Sequence, residues 1–112
     1  MFKKIKKVLY RSLENRDISY KKMQEMLKND KNIILLDVRS SQEFAEDHLE
    51  GAINIPVFDL ETKSKKQLPD KLQTIIIYCS TGKRSKRAKE ILEQLKYEKV
   101  YQLKNGLDGV GI

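Results

Sequence analysis

The residues best suited to chemistry lie in one short stretch. Cys79 is the only cysteine among 112 residues, and it follows the β-branched run Thr74-Ile75-Ile76-Ile77-Tyr78. Ser80-Thr81-Gly82-Lys83-Arg84-Ser85 comes next, and an amphipathic segment begins there. A cysteine between the end of a strand and the start of a helix is placed to react as a thiolate. A free thiol has a pKa of about 8.5, and a helix N-terminus or nearby cations favour its anion. Gly82 gives the backbone freedom to curl around the sulfur, and Lys83 and Arg84 supply positive charge. A lone cysteine more often packs as an inert apolar residue, but the composition of this loop points to a nucleophile. An internal disulfide is excluded by the count, which fits a cytoplasmic protein.

The elements that must position this loop are legible from patterning. Ser19 caps an expected helix over 20–29, with Met23, Met26 and Leu27 on one face. Ile33-Ile34-Leu35-Leu36 reads as a strand buried on both faces, the kind found in parallel sheets covered by helices. Ser40 and Glu43 form a capping-box pattern that starts a short helix running to about Asp47. Ala52 to Ile55 is a second short strand ended by Pro56, and Asp59 to Lys66 makes a helical turn or two before Pro69. Thr74–Tyr78 is the strongest strand signal. A helix is expected near 84–96, with Ala88, Ile91, Leu92 and Leu95 at helical period, and a last strand over Val100–Leu103. Asn105, Gly106 and Gly109 mark a closing turn. Alternating strands and helices predict one α/β domain with a largely parallel central sheet flanked by helices. In such sheets the ligand site lies beyond the carboxyl ends of the strands, which selects residues 37–39, 56–58 and 79–85.

Charge and composition narrow the classes further. Hydrophobic residues make up 39% and charged residues 35%, enough for one folded domain and not for two. No apolar run approaches the roughly 20 residues of a membrane-spanning helix, and lysines interrupt the start MFKKIKKVLY, so no secretory signal core is expected. The net charge of +7 is uneven: residues 1–22 carry +6 and the remaining 90 only +1. A nearly neutral body argues against a nucleic-acid partner. The division expected is a basic amphipathic arm over 1–16 and a domain over 17–112. In the arm, Phe2, Ile5, Leu9 and Leu13 lie opposite Lys3, Lys4, Lys6 and Lys7. Either this face contacts anionic lipid at a membrane surface, or it packs on the domain.

The motif Cys79-x-x-Gly82-x-Arg84-Ser85 after an apolar strand resembles the active-site loop of the rhodanese family of sulfurtransferases. Leu36-Asp37-Val38-Arg39 resembles the family's strand end, Glu43-Phe44 its following helix, and the segment from His48 to Pro56 its His-x-x-Gly-Ala-x-Asn-Ile-Pro stretch. The resemblance covers about residues 18–109 and implies a three-layer rhodanese-like domain. It implies that Cys79 takes a sulfane sulfur from a small anionic donor such as thiosulfate and passes it to a thiol or cyanide. Backbone amides of Ser80, Thr81, Gly82, Lys83, Arg84 and Ser85 would hold the terminal sulfur, with Lys83 and Arg84 favouring anionic donors. No metal and no organic cofactor is implied. An alternative within the same chemistry is a persulfide carrier or regulatory module with little thiosulfate turnover.

A phosphatase or arsenate reductase is the competing reading of the loop. Such enzymes space cysteine and arginine by five residues to wrap a tetrahedral oxyanion, whereas Arg84 is one position too early and Ser85 stands in its place. Asp37 and Arg39 are expected to support the site by pairing with each other and tying loops together, since buried charges are normally paired. His48, the single histidine, is expected to hydrogen-bond and shape its own segment. Lys86, Arg87 and Lys89 form either a solvated face or a docking surface for an acidic protein partner. Family members usually follow the Gly106 region with an aromatic residue and a closing helix, which the short remainder here does not provide; the sheet is then expected to be less covered, or shielded by the arm.

Overall fold

Three consecutive isoleucines place the centre of the sheet. Ile75, Ile76 and Ile77 are fully buried, and alternate side chains of a strand point to opposite faces, so β4 (Thr74–Tyr78) needs cover on both sides. Each such side chain contributes about 1.5–3 kcal/mol when removed from water. The computed structural model describes residues 16–111, and both readings of the arm therefore fall largely on residues outside those described. The other strands are β1 (Asp17–Ile18), β2 (Ile34–Asp37), β3 (Ile53–Asn54) and β5 (Lys99–Leu103). They form one sheet in the order β1-β5-β4-β2-β3, with every pairing parallel.

Helices cover both faces. On one side Leu36, Ile75, Ile77 and Val100 pack with Leu60 and Leu68 and with Ala88 and Leu92; these come from α3 (Leu60–Gln67) with its C-cap, and from α4 (Lys83–Gln94). On the other, Leu35, Ile76, Tyr78 and Leu103 meet Met23 of α1 (Tyr20–Asn29). Ser19 caps α1 by accepting the Lys22 N–H, and the capping box of Ser40 and Glu43 starts α2 (Ser41–Glu46) as its spacing predicts. The three-layer α/β architecture is thus the one expected from sequence.

The differences lie at the edges of the sheet. β1 was not expected, because a two-residue strand has no periodicity to detect. Backbone bonds fix it: Gln102 N–H donates to the Arg16 carbonyl (2.8 Å) and Lys104 N–H to that of Ile18 (2.9 Å). Arg16 was assigned to the arm, yet its guanidinium donates to the Glu98 carbonyl and lies 5.2 Å from the centre of the Tyr101 ring. Among the described residues, Arg16 is thus held against β5 and the residue before it. After β5 the described chain makes a 3-10 turn over Asp108–Val110, and Val110 packs against the α1-side cluster. No helix of the described residues is long and apolar enough to cross a membrane.

Candidate active site

The loop after β4 wraps its own cysteine. Cys79 is fully buried, and its Sγ accepts the backbone N–H of Gly82 at 3.1 Å and of Ser85 at 3.3 Å. The Ser85 hydroxyl lies 3.4 Å from the same sulfur. Gly82 reaches this arrangement with φ +99°, in the left-handed region that a side chain disfavours, and it precedes the first residue of α4. The sulfur therefore sits at a helix N-terminus with N–H dipoles aimed at it, a setting that stabilises negative charge.

A second turn holds the base of the loop from behind. Leu107 N–H donates to the Cys79 carbonyl and Asp108 N–H to the Ser80 carbonyl, both at 2.9 Å. Gly106, with φ +62°, makes this approach feasible, since a Cβ there would stand 2.5 Å from both of those carbonyl oxygens. Gly106→Ala is expected to displace backbone rather than a flexible side chain. A loss of at least about 2 kcal/mol should follow, measurable by urea unfolding, together with weaker protection of the Leu107 and Asp108 amides in hydrogen exchange. Unchanged stability and protection would show that the turn does not support the loop.

Arg84 was expected to offer its charge to the sulfur and to anionic donors. Its guanidinium is also engaged by Glu43 of α2 in a two-pronged pair, at 2.6 and 3.0 Å. Hydrogen bonds from Arg84 hold the Glu43 carboxyl down to about 2, against the opposing effect of burial. Glu43 in turn raises the Arg84 pKa, chiefly by hydrogen bonding, and the nearby Cys79 sulfur adds a smaller Coulombic contribution. Glu43 had been read only as a capping residue; its reach across 41 positions of sequence has no local signal. Lys83, by contrast, makes no ion pair among the described residues. With Lys86 and Lys104 it borders an open groove of about 260 Å³ on the β5 side of the loop. On the β2 side a groove of about 250 Å³ is bordered by Ser40, Pro56, the fully exposed Phe58 and Arg84.

Asp37 and Arg39 lie at the end of β2, both buried. Arg39 donates to both carboxylate oxygens of Asp37, with the closest contact 2.8 Å, and reaches on to the Asp47 carbonyl at 2.6 Å. Burial works against the Arg39 charge, but the hydrogen bonds and Coulomb attraction of Asp37 outweigh it and raise the pKa. The amide of Asn54 donates to the carbonyls of Asp37 and Arg39, joining β3 to this pair. None of these contacts reaches the sulfur. Tyr78, one residue before the cysteine, accepts the Leu49 N–H on its hydroxyl, and burial pushes its phenol pKa up. His48 is exposed: its ring stacks on Phe44, and Nδ1 donates to the Phe44 carbonyl at 2.7 Å, so it shapes the end of α2. Thr81 accepts a long 3.5 Å contact from Lys83 N–H, while Ser80 Oγ stands 3.5 Å from both Glu43 and Arg84. Among the described residues no group of three or more His, Cys, Asp or Glu could hold a metal ion.

The rhodanese-like domain model matches residues 19–111, a range that includes the whole of this loop. The chain belongs to the rhodanese-like domain family. It is 38% identical over 65 residues to the thiosulfate sulfurtransferase PspE of Escherichia coli, covering 58% of this chain and 62% of that one. It is 25% identical over 91 residues to a putative sulfur carrier protein, YrkF, of Bacillus subtilis, covering 81% of this chain and 48% of that one. The chain thus spans less than two thirds of the length of these curated relatives. Among solved structures, a rhodanese with anions from E. coli superposes with a TM-score of 0.62 at 36% identity, over 68% of this chain and 88% of that one. Cys79 lies in the loop that follows the central strand β4, with Ser80 to Ser85 after it; Asp37 and Arg39 lie at the end of β2, and His48 lies apart at the end of α2.

Proposed function

We propose that this rhodanese-like domain is a sulfurtransferase that carries a sulfane sulfur on Cys79. The observation that carries the reading is the buried Sγ facing two backbone N–H groups at a helix N-terminus. The Cys79 thiolate attacks the outer sulfur of thiosulfate; the sulfur–sulfur bond of the donor breaks, and sulfite leaves with the bonding pair. The new persulfide keeps one negative charge on its terminal sulfur, where the loop amides and the Arg84 side of the site compensate it. Cyanide or a thiolate then attacks that terminal sulfur, giving thiocyanate or an acceptor persulfide and returning the Cys79 thiolate. Asp37 and Arg39 brace the β2 end beside the loop, and His48 holds the segment that follows α2. No proton transfer in this sequence calls on either.

A carrier with little thiosulfate turnover is the second reading. The engagement of Arg84 by Glu43 favours it, because less positive charge is left to draw in a dianionic donor. The resemblance to a putative sulfur carrier points the same way. Thiocyanate production from thiosulfate and cyanide separates the two, being rapid for an enzyme and slow for a carrier that takes sulfur from a protein. A cytoplasmic setting and an acidic protein partner at Lys86, Arg87 and Lys89 belong to this proposal as well.

The central step has a direct test. No second thiol exists in the 112 residues to discharge a Cys79 persulfide. After thiosulfate is added and removed, the protein should therefore retain a mass increase of one sulfur atom on the peptide bearing Cys79. Cyanide or glutathione should return it to its starting mass. A mass that never rises, or that falls equally fast without an acceptor, overturns the assignment.

A further inference from the structure

Behind the sulfur lies a line of side chains that the transfer step does not use. Ser85 is fully buried, and its Oγ lies 3.4 Å from Cys79 Sγ, 2.9 Å from Gln102 Oε1 and 3.1 Å from the Gly82 carbonyl. Gln102, on β5, donates its Nε2 to Asp17 Oδ1 of β1 at 2.8 Å. Asp17 gives this line a direction. An ionised carboxylate only accepts, so the amide nitrogen faces Asp17 and the amide oxygen faces Ser85. That oxygen and the Gly82 carbonyl also only accept. The single Ser85 hydrogen is thus drawn away from the sulfur, which leaves an Oγ lone pair to receive the thiol S–H. The Ser85 hydroxyl is thus set to receive an S–H, while the Gly82 and Ser85 amides around the same sulfur favour its anion. A thiolate or a persulfide has no S–H at Sγ, so there the hydroxyl must turn from a carbonyl oxygen to donate to sulfur.

We propose that Gln102, oriented by Asp17, is a positioning residue for sulfur transfer: it draws the Ser85 hydroxyl toward itself in the resting thiol and yields it to the sulfur when the anion forms. The proposal rests on the reading of Cys79 as the sulfur carrier. Other charges lie around this line: Arg84, in Coulombic interaction with the sulfur and paired with Glu43, and Lys83, Lys86 and Lys104 around the groove that Asp17 and Gln102 also border. All of these stay in place in the variants below.

The test follows iodoacetamide alkylation of the full chain as a function of pH, alongside sulfur loading from thiosulfate by mass. Gln102→Leu removes one of the two oxygens that compete for the Ser85 hydrogen, so the alkylation midpoint should move to lower pH by about half a unit. Gln102→Glu keeps an acceptor beside Ser85 and adds negative charge, so its midpoint should move to higher pH. Asp17→Asn preserves shape while allowing the Gln102 amide to turn over, and should shift the midpoint in the Leu direction by a smaller amount, which covers the case of a Gln102 variant that fails to fold. Opposite shifts for Leu and Glu are an outcome that packing alone does not produce. Midpoints that coincide with the wild type, or that all move the same way, overturn the role of Gln102. Failure of the wild type to take up sulfur would instead sink the carrier reading and with it a role in transfer, while the alkylation midpoints would still show separately whether Gln102 acts on the thiol.

Discussion

Cys79→Ser is expected to reduce sulfur transfer to background while leaving the fold intact. A serine Oγ is nearly isosteric with the sulfur and meets the same donors, since the Gly82 and Ser85 N–H groups that donate to Sγ can donate to a hydroxyl oxygen in its place. The site is fully buried and in contact with the inner cluster of Leu36, Ile77 and Ala88, so the exchange removes little packing. What is lost is ionisation: a hydroxyl does not form an anion near neutral pH, and it cannot hold a sulfane sulfur. The measurements are thiocyanate release, mass after thiosulfate treatment and the urea unfolding midpoint. Retained transfer with a normal unfolding curve would move the chemistry away from the sulfur altogether.

The position of that sulfur was legible in the sequence because every cue for it is local. Three isoleucines fix the strand, Gly82 marks the turn, and Lys83 to Leu92 carries the helical period, all within 18 consecutive residues. The capping box at Ser40 was readable for the same reason. What sequence missed depends on contacts made across the sheet. β1 is two residues long and exists because β5 offers it a ladder. Gln102 was passed over as part of a strand, although a polar residue inside Val-Tyr-Gln-Leu is a weak signal that something buried needs a partner. The most consequential contact missed is the partner of Arg84. Its engagement by Glu43 comes from a helix 41 residues earlier in the chain and changes what the cation has left to give.

That engagement sets the second large effect, because Arg84→Ala removes more than one cation. It also strips Glu43 of the partner that holds its carboxyl down to about 2, leaving an unpaired negative charge next to the loop. Thiosulfate, a dianion, then meets less attraction and more repulsion, and kcat/KM for it should fall by about tenfold to a hundredfold. Alkylation by neutral iodoacetamide should fall by less. Glu43→Gln reverses the sign: glutamine still serves at this capping-box position, the guanidinium is released, and KM for thiosulfate should drop. The double variant should recover part of what Arg84→Ala loses, because the repelling carboxylate is gone. Acid provides an independent check. The Glu43 pKa is depressed from 4.5, so the pair's contribution to stability is complete above pH 4.5 and declines as the pH falls toward 2. Wild-type protein should therefore lose stability across that window by an amount that Glu43→Gln does not lose, since an amide does not titrate. If Arg84→Ala and Glu43→Gln instead impair thiosulfate turnover alike, the pair braces α2 against the loop and its charge plays no part in admitting the donor.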